Sequence, residues 1–449
     1  MLQQIIFIGV LAIVGFLGFK SYRHVYKSIM LGKDFSPQGP SGQRWKNVLL
    51  VAFGQKKMFK RIIPAVLHGF IYVAFLFTQI ELIEIIIDGV FGQHRFFAST
   101  LGGLYTLILN SIEFLSLGAL ISTIIFLWRR NLLKVPRLVM PEMKGWPSLD
   151  ANYILIAEIV LIGAIFTMNA SDGLLQKIDP VHYPDTGHLA LSSLVGNSLF
   201  SGLSAGTLHF LERAGWWLHI LVVFGFLLYL PISKHLHILL AFPNVYFSKL
   251  TSRGEMSNMP EIMNEVKSMM GLGDPNAEEP PMTEELPDFG SKDIFDLSWK
   301  NLLDAYTCTE CGRCSSVCPA NGTGKKLSPR KIMMDIRDRT AEVAENLKDK
   351  DYDKSDYDDG KSLFDYITDE ELFACTTCNA CVEACPVMIN PLEPILELRR
   401  YKILTESAGP GDWTPMFTSL ENTGAVWQMP SERIEWAQAL LDEENSQEK

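Results

Sequence analysis

Apolar residues are crowded into the first 245 positions of this 449-residue chain. Five runs, 4–19, 62–87, 101–128, 151–170 and 213–232, carry few charges, and each is near the length a helix needs to cross a bilayer. The pattern predicts a mainly α protein whose first 245 residues are a five-helix transmembrane bundle. No Lys or Arg precedes the first run and no small-residue cleavage site follows it, so it reads as a retained anchor rather than a signal peptide. Residues 246–292, with Gly254, Gly271, Gly273, Pro275, Pro280, Pro281 and Pro287, read as a linker carrying one short amphipathic helix. Residues 293–405 form a second domain and 406–449 a tail.

Charge orients these spans. Lys20, Arg23, Lys27, Lys33, Arg44, Lys46, Lys56, Lys57, Lys60 and Arg61 lie between the first two runs, and Arg129, Arg130, Lys134, Arg137 and Lys144 between the third and fourth. Basic loops stay in the cytoplasm, which puts the N-terminus outside and the second domain inside. The net charge is −11, with acidic residues concentrated after position 254, above all in Asp349–Asp359 and Asp442–Lys449. Such runs read as solvated, flexible surface. No basic stripe with interleaved aromatics points to nucleic acid.

All eight cysteines fall in two copies of one pattern, Cys308-x-x-Cys311-x-x-Cys314-x-x-x-Cys318-Pro319 and Cys375-x-x-Cys378-x-x-Cys381-x-x-x-Cys385-Pro386. Zinc sites pair two CxxC units and would leave a third cysteine of each run idle. This spacing is that of a two-cluster ferredoxin, in which the fourth cysteine of each run ligates the other cluster. By that rule Cys308, Cys311, Cys314 and Cys385 hold one [4Fe–4S] cluster, and Cys375, Cys378, Cys381 and Cys318 hold the second. Eight thiols with none left over imply a reducing compartment, in agreement with the charge-based topology.

Ionisable residues inside spans are functional candidates by default. His68 sits in the second run, while His219 and His237 bracket the fifth. An interval of about five helical turns would put the latter two on one face, about 27 Å apart, so that one helix could serve a haem near each membrane surface. Pro231 between them can kink that helix. His68 and His237, both near the cytoplasmic edge, suit bis-histidine ligation of a haem b. His235, two residues before His237, points to another face and reads as interfacial. Glu113 and Glu158 lie within the third and fourth spans and are candidates for handling protons or quinone, against a structural hydrogen-bonding role. Glu81 and Glu84 lie nearer the outer surface, where water can reach them.

The stretch Leu218-His219 through Pro231 to Ser233-Lys234-His235-Leu236-His237, followed by Pro243, resembles the last span of the cytochrome b membrane subunit of respiratory nitrate reductase. That family has five helices and two b haems. The resemblance implies that His68 matches the first of two haem-ligating histidines ten residues apart on the second helix. The second position here is Thr78, so His219 lacks its usual partner for the outer haem; either His94, His182, His188 or His209 substitutes, or the outer haem is absent. Cys308-Thr309-Glu310-Cys311-Gly312-Arg313-Cys314, Leu327-Ser328-Pro329-Arg330 and Cys375-Thr376-Thr377-Cys378 are similar to the C subunit of heterodisulfide reductase. They are more similar to membrane iron–sulfur oxidoreductases that fuse such a dicluster domain to the cytochrome. In those longer relatives a segment like Ser419–Ala439 leads into cysteine-rich CCG domains, whereas no cysteine follows here up to Lys449.

Together these features imply an electron-transfer subunit of a bacterial cytoplasmic membrane. It would pass electrons between a cytoplasmic CCG-type iron–sulfur or flavoprotein partner, two [4Fe–4S] clusters, haem b and the quinone pool. Trp427, Pro430, Arg433 and Trp436 are candidates for contacting that partner. The alternative is a membrane-tethered redox sensor or assembly factor without sustained turnover.

Overall fold

A computed structural model describes residues 1–252, 254–272, 288–426 and 435–447. Five helices are long and apolar enough to cross a membrane: α1 Leu2–Ile29, α2 Ile62–Phe91, α3 Gly103–Asn131, α4 Trp146–Ile178 and α5 Ala205–Tyr229. Uninterrupted apolar sequence suits such helices because each satisfies its backbone polar groups internally. Every expected span is present, and α4 extends at both ends. Pro147 is tolerated in its first turn, and Asn169, Asp172 and Gln176 near its other end find polar partners instead of stopping it.

The bundle packs closely where a small residue faces a backbone or a ring. Gly215 of α5 lies on the Ala164 carbonyl of α4, which a Cβ would approach to 2.8 Å. Gly118 of α3 lies under the Phe70 ring of α2. At the other end of α5, Pro231 has no N–H to continue the ladder, and the chain passes through two 3₁₀ turns, Leu230–Ile232 and Lys234–Leu236. A new helix, α6 His237–Tyr246, starts there. His219 and His237 therefore belong to different helices, and the expected common face does not exist.

The second domain is also helical, built around α7 Trp299–Thr307, α8 Pro329–Leu347 and α9 Leu392–Arg400. Ser298 and Asn301 form a capping box at the start of α7. Leu302, Ile332, Ile336, Val343, Leu363, Ile395 and Leu398 fill its core. Among the described residues there is no strand beyond an isolated bridge, Lys33 to Ser298. Gly290 packs against the α9 backbone and Ser291 N–H donates to the Glu397 carbonyl (3.0 Å), so the domain includes the end of the expected linker. The amphipathic helix of that linker is present as Pro260–Met269. Gly273, Pro275, Pro280, Pro281, Pro287, Trp427, Pro430, Arg433 and the Trp436 side chain lie outside the described residues.

The two domains are sewn together. Lys33 N–H donates to the Leu297 carbonyl (2.8 Å) and Trp299 N–H to the Lys33 carbonyl (2.9 Å). The backbones meet at Gly32, where a Cβ would fall 2.6 Å from the Trp299 nitrogen. Lys234, after the fifth span, is buried with Glu310 of the first cysteine motif, which also pairs with Arg337 at 2.7 Å. Asp150 accepts from Tyr229 and Ser233, each at 2.7 Å, and from the Lys234 N–H. The run 349–359 is not simply solvated surface: Asp359 pairs at 2.6 Å with Arg339, itself 1% exposed, and the Tyr352 hydroxyl lies 2.6 Å from His24 of α1.

Candidate redox centres

Both cysteine motifs bend in the same way. Glu310 and Gly312, two and four residues after Cys308, have φ of 53° and 69°; Thr377 and Asn379, at the same offsets from Cys375, have 56° and 60°. These left-handed positions are uncommon for side-chain-bearing residues. Here they curl each loop so that three thiols converge. Cys318 then caps the turn Pro319–Gly322, and Cys385 follows the helix Ala380–Ala384.

The geometry pairs the motifs crosswise. Cys308, Cys311 and Cys314 line one cavity together with Cys385; Cys375, Cys378 and Cys381 line another together with Cys318. The spaces are roughly 360 and 320 Å³, including the part open to solvent. Met333, Val387 and Ile389 wall the first, and Leu327, Leu392 and Ile395 the second. Burial pushes the Cys308 and Cys381 thiols up to about 12 and Cys385 to about 11. Buried thiols of this kind suit a site whose own positive charge makes them thiolates. All eight cysteines are free thiols, and among the described residues no group of His, Cys, Asp and Glu is arranged around a single metal ion.

Residues 307–389 match the 4Fe-4S dicluster domain. Over 89% of its length the chain is 28% identical to the probable iron-sulfur-binding oxidoreductase FadF of Bacillus subtilis, covering 55% of that protein. It is 24% identical to the EtfAB:quinone oxidoreductase of Syntrophomonas wolfei over 86% of its length and 52% of that relative. A further 34% identity over 113 residues, 25% of this chain and 55% of the relative, links it to the C subunit of the ferredoxin/F(420)H(2)-dependent CoB-CoM heterodisulfide reductase of Methanosarcina acetivorans. The chain spans about half the length of the first two relatives. All three are oxidoreductases or parts of them by name, the first an iron–sulfur one. No solved structure matches the chain.

Around the first cavity lies a set of cations whose positions in the sequence signal only topology. Arg137 Nε donates to the Cys311 carbonyl (3.0 Å). Arg313 lines the cavity, interacts electrostatically with Cys311 and Cys385 on one side and His68 on the other, and reaches the Lys57 carbonyl (3.4 Å). Arg330, 0% exposed, donates to the Arg137 carbonyl (2.6 Å) and to Glu142 (2.7 Å). Arg61 donates to Ser316 (2.9 Å), and Lys60 pairs with Glu383. These contacts hold the two basic loops against the cysteine motifs. Only a bend that brings distant segments together could have announced them.

His68, His235 and His237 form one group beside Arg313, close enough that each ring's charge would be felt by the others. The rings of His235 and His237 are 5.6 Å apart, and His68 stacks on Tyr72. His237 Nδ1 donates to the Lys234 carbonyl (3.0 Å), which fixes the tautomer and leaves the Nε2 lone pair free. His235, expected at the interface, is instead drawn into this group, and its buried Nδ1 has no partner. His237 Nε2 is an unclaimed nitrogen of the kind a haem iron takes, and His68 of α2 belongs to the same group. His219 of α5 is buried with Nδ1 unpaired, and it hydrogen-bonds to the backbone of Leu161 on α4. Thr78 bonds back to its own helix. Of the four candidate substitutes, His94 is held by Asp172 (2.9 Å), and His182 and His209 by Asp179.

The two intramembrane acids separate. Glu113 Oε2 accepts the N–H groups of Leu191 (3.0 Å) and Ser192 (3.3 Å) and so caps the short helix Ala190–Val195. Glu158, within α4, has no hydrogen bond or ion pair among the described residues. Glu81 and Glu84 are 3% and 2% exposed, sealed from water rather than wetted.

Proposed function

We propose that this protein is a membrane electron-transfer oxidoreductase subunit linking a soluble redox partner to the quinone pool. Cys308, Cys311, Cys314 and Cys385 would hold one [4Fe–4S] cluster, Cys318, Cys375, Cys378 and Cys381 the other, and His68 with His237 one haem b. When bound, these groups supply one-electron carriers. The chain's own residues set their order and surroundings. The observation that carries the reading is that Arg313 faces both the first cavity and the histidine group, while Cys378 of the second cavity is exposed. This arrangement supports a path with the second cavity as its soluble end and the histidines as its membrane end. The relative named for EtfAB and quinone supports the same two ends.

The basic loops support a cytoplasmic position for the dicluster domain, with the N-terminus outside in a bacterial cytoplasmic membrane. A CCG-type iron–sulfur or flavoprotein polypeptide docked beside Cys378 would complete the path. The test is optical: purified membranes should show reduced-minus-oxidised b-haem absorption that is re-oxidised on adding quinone. Absence of any haem signal would favour a membrane-tethered redox sensor instead.

A further inference from the structure

At the end of the bundle remote from the cysteine motifs, the spans enclose a charge group that none of the redox chemistry uses. Arg95, from the α2–α3 connection and 5% exposed, is the cation at its centre. Its Nη2 donates to Asn169 (2.5 Å) and Asp172 (3.3 Å), and its Nη1 to Tyr105 (3.4 Å). Four carboxyl groups face it or one another: Glu81 and Glu84 of α2, Glu113 of α3 and Asp172 of α4, none more than 3% exposed. Asp88 and His94 close the group on its outer side, while Arg213 of α5, which also faces Asp172, is engaged by Glu212.

The carboxyl groups are served unequally. Asp172 receives His94, Arg95 and Gln176 (3.1 Å); Glu84 receives the Tyr105 hydroxyl (2.7 Å) and Phe97 N–H (2.9 Å); Glu113 receives two N–H groups at a helix start. Glu81 has least. Its Oε1, like that of Glu113, is buried with no hydrogen-bond partner, and Glu81 has the neutral Asn169 alone as a hydrogen-bonding neighbour, with the Arg95 Nη1 3.7 Å away. One guanidinium cannot balance four buried anions, and an uncompensated charge in such a place sheds its cost by binding a proton.

We propose that this group is a proton-storing site, with Glu81 the carboxyl that carries the proton and His94 the side chain through which it exchanges with solvent. Asp172, bonded to His94, shares Arg95 with Glu81; the guanidinium keeps its protons and relays none, so exchange through His94 follows opening of the group rather than a fixed hydrogen-bonded wire. His94 is the part of this chain that reaches the surface, its side chain 22% exposed against 0% for Asp172. The ligand is a proton, and the assignment does not depend on the redox reading.

The test uses the full chain in detergent or lipid nanodiscs. Infrared difference spectra between the parent protein and Glu81→Gln at neutral pH should show the carbonyl band of a protonated carboxylic acid that shifts in deuterated buffer. The same variant should denature at the parent's midpoint, because Gln is isosteric with the neutral acid, whereas Asp172→Asn should denature at a lower temperature. His94→Ala should slow deuterium exchange of the band several-fold without abolishing it. No band in the difference spectrum overturns the proposal. So does a Glu81→Gln variant that is destabilised as much as Asp172→Asn or does not fold, since Glu81 would then be needed as an anion. Unchanged exchange in His94→Ala overturns the assigned route.

Discussion

At the scale of single residues, the crossed cavities make a sharp claim about Cys318 and Cys385. Cys318→Ser should perturb the electron paramagnetic resonance signal of the cluster bound by Cys375, Cys378 and Cys381, and Cys385→Ser that of the other; each variant disturbing its own motif's signal would refute the crossing. His68→Ala or His237→Ala should each remove the b-haem absorbance. His219→Ala should leave it whole, because His219 is engaged by the Leu161 backbone. The cysteine spacing was fully legible in the sequence, since cluster ligation demands a fixed residue type at a fixed offset. His68 and His237 were legible as unusual intramembrane groups. Glu113 was half legible: a carboxylate within a span invites a proton role, and only the fold reveals that it faces a helix start.

At the scale of elements, the loop between α3 and α4 is a docking device. Burial pushes the Glu142 carboxyl up, but the Ser328 hydroxyl and the Arg330 guanidinium outweigh it and hold the group below its ordinary value of 4.5. The docking contribution of Glu142 is therefore complete above that value and is lost as pH falls through the lower folded one. Protection from hydrogen exchange around 137–143 and 328–330, relative to the unfolded chain, should stay high between about pH 6 and 8 and fall only below about pH 4. Glu142→Gln leaves Arg330, 0% exposed, without its anion and should cost about 3 kcal/mol, read as a lower denaturation midpoint. Hydrophobic runs located all five spans because length and apolarity are local properties. The break after α5 was only foreshadowed by Pro231, and the eighteen-residue register was lost with it. The contacts of Lys57, Lys60, Arg61 and Arg137 with the cysteine motifs were invisible, because a basic loop beside a membrane has a simpler explanation.

For the whole molecule, the unpartnered carboxyl is the place to look for proton coupling to quinone. Glu158→Gln should lower quinone-linked turnover while leaving b-haem absorbance and both cluster signals intact; unchanged turnover would assign Glu158 a structural role. The halves of the protein also constrain how it can be made. The first helix is fastened to the last domain by the Lys33–Ser298 bridge and by His24 to Tyr352, partners 328 residues apart. A ribosome that has delivered the five helices has not yet delivered what holds α1 in place. The opening helix must wait in the bilayer, held mainly by its packing on α2 and α5, until the cysteine-rich domain folds. Folding of the cysteine-rich domain thus stands upstream of the final fastening of the first helix to it.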